Sequence, residues 1–207
     1  MAVGGGPQFT QTRQKLSIQG AATENLLVGA PKFPQSAALG QSTFRMSKLK
    51  EKRNSFESLS SEINLGIGSI FKNISRVTCP CCGYPTLEER ANYEICDLCN
   101  WEDDGQDDHD SAKSFGGPNG GYSLDEAREN FVKYRTMYSP ENNTTITGAD
   151  SEERAILKSK LIQTFEKMLH SNTSRVKSLW KQALAIEKDL HKELKRSIRE
   201  YEKSIKH

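Results

Sequence analysis

The chain has no apolar run near the roughly 18 residues that a membrane helix needs, and its N-terminus lacks a charged region followed by an apolar one. These absences point to a soluble, non-secreted protein, and a cytoplasmic location is expected. Cysteine is missing everywhere except one short window, where Cys79, Cys81, Cys82, Cys96 and Cys99 all fall. An odd number of thiols in close pairs, with no secretory signal, argues against a disulfide framework and for a metal site in a reducing compartment. No internal repeat suggests a solenoid. No glycine-rich phosphate cradle or complete nucleophile array is present either, so a non-enzymatic role is expected.

What is present is a polar chain of 207 residues and 23.2 kDa, with 35% hydrophobic and 27% charged residues and a mean hydropathy of −0.69. That length allows one or two modest domains, and the polarity excludes one large core. The formal net charge of +2 hides a pattern. Residues 1–78 carry 10 Lys/Arg against 4 Asp/Glu, residues 79–150 carry 5 against 15, and residues 151–207 carry 14 against 8. An acidic middle is thus flanked by two basic arms, which excludes a uniformly basic nucleic-acid binder.

Composition divides the chain into five stretches. Residues 1–45, rich in Gly, Ser, Gln, Ala and Thr and holding Glu24 as their one acid, read as a disordered tail. Residues 46–78 read as an amphipathic helix, because Phe56, Leu59, Ile63, Ile67, Ile70 and Ile74 recur at spacings of three and four. Residues 79–138 hold the cysteines, a turn-dense Phe115-Gly-Gly-Pro-Asn-Gly-Gly121 run, and a helix predicted to begin at Leu124 behind the capping box Ser123–Glu126. Residues 139–150 read as a linker. Residues 151–207 read as a helical hairpin, its first helix capped by Asp150 and Glu153 and ending near His170. The second helix carries the stripe Val176, Trp180, Ala183, Ile186, Leu190, Leu194, Ile198, Tyr201 and Ile205, with an imperfect heptad drift that suggests a coiled coil. A stripe about 45 Å long at 1.5 Å per residue must be covered, by another helix of this chain or by a second copy.

The cysteines are spaced Cys79-Pro-Cys-Cys82-Gly, then Cys96-Asp-Leu-Cys99-Asn. Two CxxC pairs can place four thiolates tetrahedrally around zinc, each pair on a tight knuckle turn. Pro80 presets the first turn, and Gly83 and Asn100 are residue types that tolerate a left-handed conformation directly after each pair. The predicted ligands are therefore Cys79, Cys82, Cys96 and Cys99 on one zinc ion, with iron the alternative that sequence separates poorly. Such a site contributes about 10–16 kcal/mol of apparent binding energy to folding. Cys81 lies between two ligands and cannot easily share their ion. It reads either as a packed bystander or as a redox thiol.

These residues also carry a resemblance. CPCCGYPTLEERANYEICDLCNWEDDGQDD, followed by GGPNGGYSLDEARENF, resembles the cysteine-rich CPCC family of generally bacterial proteins across residues 79–135. The resemblance implies a small zinc-ribbon-like α+β module and names no reaction. Family members commonly carry proline where Asp97 stands and an aromatic or glycine where Asn100 stands, so the second knuckle departs from the pattern. The helical arms lie outside the shared region.

The run from Trp101 to Asp110 offers Glu102, Asp103, Asp104, Asp107 and Asp108 as a docking face for a basic partner. It lacks the ligand order of a calcium loop, and His109 has no nucleophile to serve. Lys192 and Arg196 on the last helix are candidate partner or phosphate contacts, although interleaved acids favour a solvated face over nucleic-acid binding. The expected function is that of a zinc-binding interaction, regulatory or assembly module, with a protein partner or self-association through the C-terminal helices. The alternatives are a thiol-redox protein using Cys81 and a nucleic-acid binder using the basic helical arm. No membrane partner is expected.

Overall fold

Local signals start three of the four α-helices among the described residues. The computed structural model describes residues 35–65, 76–142 and 150–206. Helix α1 spans Gln35–Leu65, α2 Leu124–Tyr134, α3 Glu152–Leu169 and α4 Thr173–Ser204. The Ser123 side chain accepts from the Glu126 amide while the Glu126 carboxylate receives the Ser123 amide, completing the capping box at the expected residue. Helix α3 is capped one residue later than predicted. Ser151 accepts from the Arg154 amide. Asp150 turns away to pair with Arg154 at 2.8 Å and Lys158 at 2.9 Å. Asn172 caps α4 by accepting from the Arg175 amide.

The helical backbone of residues 35–45 lies in the stretch whose composition reads as tail, and residues 1–34 lie outside the described residues. On α1 the expected stripe is realised through buried Phe56 and Ile63 and half-buried Leu59. Ile67, Ile70 and Ile74 lie outside the described residues.

Between α1 and α2 the chain forms two turns rather than the sheet of an α+β module. Among the described residues there is no strand, only two isolated antiparallel bridges, Val77 with Leu87 and Ile95 with Glu102. The physical reason is length: each hairpin is drawn shut around a pair of cysteines within a few residues, leaving none to extend a ladder.

Helices α3 and α4 pack against each other as the predicted hairpin, burying Leu161, Phe165 and Met168 against Val176, Leu179, Trp180, Ala183 and Leu190. The same core continues into the cysteine segment. Tyr84, just after the first knuckle, stacks on Phe165 of α3 with ring centroids 5.6 Å apart, and Phe56 of α1 meets both rings at 6.0 Å. Phe131 of α2 and Trp180 of α4 complete the cluster at 6.4 Å from Tyr84 and 6.3 Å from Phe165. Aromatic pairs of this kind contribute about 0.5–1.5 kcal/mol each beyond area burial. The cluster joins all four helices to the knuckle. The last part of α4 departs from the stripe pattern, since Ile198 and Ile205 are exposed.

Two cations at the start of α3 fasten it to the cysteine segment. Lys158, 1% exposed, donates to the carbonyl of Arg135, and Arg154 donates to the carbonyl of Asp97. Burial lowers the pKa of the Lys158 ammonium, with Asp150 opposing, so the pair stands on its mutual contact rather than on hydration.

Candidate metal centre

The two CxxC turns are built alike. In the first, the Gly83 amide donates to the Cys79 carbonyl at 2.9 Å and the Cys79 amide donates to the Tyr84 carbonyl at 2.9 Å. In the second, Asn100 donates to the Cys96 carbonyl at 2.9 Å and Cys96 donates to the Trp101 carbonyl at 2.8 Å. The residue after each pair is left-handed, Gly83 with φ +77° and Asn100 with φ +65°. Both residue types were legible in the sequence because this turn requires positive φ at that position.

The knuckles face each other and bring four sulfurs together. The Sγ atoms of Cys79, Cys82, Cys96 and Cys99 all lie within 4.8 Å of one another. Cys79 and Cys99 are 3.6 Å apart across the gap, and Cys82 and Cys96 are 3.7 Å apart. Four sulfurs bound at about 2.3 Å to one tetrahedral ion stand about 3.8 Å from each other, so these separations fit a single dication. The four residues are at most 1% exposed, and all five thiols are free of disulfides. The donor set is soft and water-excluded, which suits zinc or iron and not magnesium or calcium.

Charge balance points the same way. Burial pushes the Cys79, Cys82 and Cys99 thiols well up. At Cys96 burial acts likewise, but hydrogen bonds from Cys79, Cys82, Cys99 and Thr86 win and hold it well below its usual value. A buried tetrad of thiols ionises fully only when a cation compensates the charge.

A relay of side chains braces the second knuckle. The Thr86 hydroxyl lies 3.0 Å from Cys96 Sγ, Arg76 donates to the Thr86 carbonyl at 3.0 Å, and Arg76 pairs with Glu187 of α4 at 3.3 Å. The amide of Met137, beyond α2, donates to the Cys99 carbonyl at 2.7 Å. Such outer contacts fix the orientation of ligands. None was legible beforehand, because Arg76 and Glu187 are 111 residues apart. Trp101 is fully buried, and its indole N–H has no hydrogen-bond partner among the described residues.

Cys81 is 1% exposed and sits in the wall of a cavity between α1, the first knuckle and α2.

The acidic run serves the fold from within. Asp103 is fully buried and accepts from Arg90 at 2.7 Å and from the Ala91 amide at 2.9 Å. Asp107 receives Arg53 and Arg90, and Asp108 receives Arg128 at 2.6 Å. Asp104 caps the Gln106 amide and meets the Asn119 side chain, which also bridges the Glu102 backbone through two hydrogen bonds. The carboxylates expected to face a basic partner are thus largely taken up by Arg53, Arg90 and Arg128 of the same chain. Linear spacing could not show this, since Arg53 lies 54 residues from Asp107. On α4, Lys192 pairs with Asp189 at 2.8 Å, and Arg196 with Glu193 at 2.6 Å and Glu200 at 2.9 Å. Both cations are thereby engaged along their own helix.

Residues 77–153 match the family described as Cysteine-rich CPCC. The chain has no match among curated proteins or among solved structures. The matched span begins at the residue that closes the first knuckle and runs past Asp150 into the first turn of α3, so it holds both CxxC pairs and the anchoring carboxylate. Residues 77–153 therefore belong to the cysteine-rich CPCC family.

Proposed function

We propose that Cys79, Cys82, Cys96 and Cys99 hold one zinc ion as a structural cross-link. The module it closes then acts without catalysis, as an interaction or assembly unit carried on helical arms. The observation that carries the reading is the buried, mutually adjacent set of four sulfurs. A bound zinc would offset half of the charge of four thiolates and tie residues 79–82 to residues 96–99. The two knuckles, each shut by one antiparallel bridge, support a zinc-ribbon-like reading of the module in reduced form.

A non-catalytic role is favoured by the fate of the polar groups around the site. The carboxylates that could serve as acids or bases are engaged by arginines or backbone amides. His109 is 79% exposed and meets Asp110 at 3.5 Å. Among the described residues, no helix is long and apolar enough to cross a membrane. Five reduced thiols in one chain support residence in a reducing compartment such as the cytoplasm.

The test is metal analysis of protein purified under reducing conditions, with free thiols counted in parallel. About one zinc per chain, with at most one thiol titratable before chelation and five after it in denaturant, supports the reading. Iron in its place would reassign the centre to electron transfer. Metal-free protein with cysteines paired as disulfides would overturn the reading.

A further inference from the structure

The cavity beside Cys81 has a volume of about 340 Å³, within the range of small-molecule sites. Leu49 of α1 and Phe131 and Val132 of α2 give its lining an apolar part, to which Cys81 adds a soft residue. Four cations, Lys48, Lys52, Arg128 and Arg135, stand against two carboxylates, Asp125 and Glu129.

Several of these charges are already engaged. Arg128 is held by the Pro80 carbonyl, Asp108 and Asp125. Glu129 faces Lys133 at 3.6 Å. Lys52 lies 4.1 Å over the Tyr84 ring, with Glu166 at 3.8 Å. Arg135 differs: among the described residues no carboxylate lies within ion-pair distance of it, and its guanidinium rests 5.8 Å from the Phe131 ring. Its backbone ends α2 in a left-handed conformation and receives Lys158 on its carbonyl. Two like charges, Lys52 and Arg135, thus line the same cavity, and of the two only Lys52 has a carboxylate, Glu166, within ion-pair distance among the described residues.

We propose that this cavity binds a small organic anion, its charged group seated between Lys52 and Arg135 and its apolar body against Leu49, Phe131 and Val132. Charge complementarity selects the anion, and the apolar wall selects a ligand with a hydrocarbon or aromatic body over a bare inorganic ion. Cys82, one of the four clustered cysteines, also lines the cavity, but none of the contacts proposed for the ligand is one of those thiols.

The test uses the full chain in its reduced, zinc-supplemented form, titrated with the fluorescent anion anilinonaphthalene sulfonate and with its uncharged parent phenylnaphthylamine. The expected result is one saturable sulfonate site per chain, weakened about fivefold or more by Arg135→Gln, while the uncharged probe changes less than about twofold. Val132 is 51% exposed, so Val132→Glu is tolerated by the fold and sets a carboxylate at the cavity mouth. That variant should weaken the anion more than the neutral probe, and it decides the matter if Arg135→Gln fails to fold. Sulfonate affinity unchanged in the folded variants, or equal losses for both probes, would overturn the proposal. Zinc assayed in the same samples separates the two readings: a full zinc complement without a sulfonate site removes the pocket alone, and a sulfonate site without zinc removes the metal reading alone.

Discussion

Arg53 on α1 grips Asp107 with two parallel hydrogen bonds of 2.6 and 2.9 Å. A second cation, Arg90, reaches the same carboxylate at 2.8 Å. This arrangement turns the acidic run into the socket of a helix that precedes it by half a hundred residues. Bidentate, charge-assisted pairs of this kind exceed ordinary surface ion pairs in strength.

The first prediction follows from that grip. Burial would raise the Asp107 pKa, but the hydrogen bonds from Arg53 and Arg90 win and hold it well below the usual carboxylate range. A depressed folded-state pKa gives stability that is present above the unfolded value of about 3.9 and lost as pH falls through the folded value. Arg53→Ala should therefore cost about 1–2 kcal/mol at pH 7 and shrink the further loss on acidification below about pH 4. Urea unfolding at both pH values, for wild type and variant, checks both halves. Coincident midpoints at neutral pH would dismiss the pair as a stabilising contact.

The acidic run also shows where the sequence was legible and where it was not. Gly83, Asn100 and the Ser123–Glu126 box are set by contacts within five residues, so residue type and spacing were enough to place them. The α3 cap slipped by one position because Asp150 and Ser151 are both good caps, and the choice was made by Arg154 and Lys158 on the helix. The socket for Arg53, the Thr86–Arg76–Glu187 relay and the aromatic cluster around Tyr84 depend on residues far apart in sequence. Periodicity reports that a face is apolar and not what covers it.

A second prediction concerns the metal ligands. The cysteine turns share one core with the helices, through Tyr84 on Phe165 and Phe56. Cys96→Ser should therefore do more than release zinc. Tertiary signals from Trp180, seated against Phe165, should be lost while much helical far-UV signal survives. Metal content and near-UV circular dichroism measured on the same sample test this. Retention of both zinc and a cooperative melt would rule out Cys96 as a ligand.

Glu187 supplies a third. Its pKa is pushed up to about 7, first by burial and then by the neighbouring negative charges of Asp97, Cys96 and Glu94, against the pull of Arg76. Asp97 beside it is raised as well, chiefly by burial, and faces His191 at 3.4 Å. A raised folded-state pKa gives stability that is complete below the unfolded value of about 4.3 and lost as pH rises through about 7. Glu187→Gln should flatten the stability profile between about pH 5 and pH 8, recovering about 1–3 kcal/mol at the alkaline end relative to wild type. Thermal melts across that range decide it. A wild-type profile already flat there would show that Glu187 titrates normally.

The last prediction returns to the first knuckle, where two separate constraints meet at one residue. Gly83 has φ +77°, and a methyl group built on its α-carbon would stand 2.6 Å from the Leu49 Cδ1 of α1. Gly83→Ala should cost about 1–3 kcal/mol, part from the left-handed backbone and part from the collision. The two parts can be separated. Leu49→Ala removes the colliding atom and leaves the backbone conformation unchanged, so in the Gly83→Ala background it should cost less than it does alone. A double-mutant cycle on thermal or urea unfolding reads that difference directly. Strict additivity would mean that α1 does not press on the knuckle at Leu49, and the close seating of the helix over the cysteine turn would have to be abandoned.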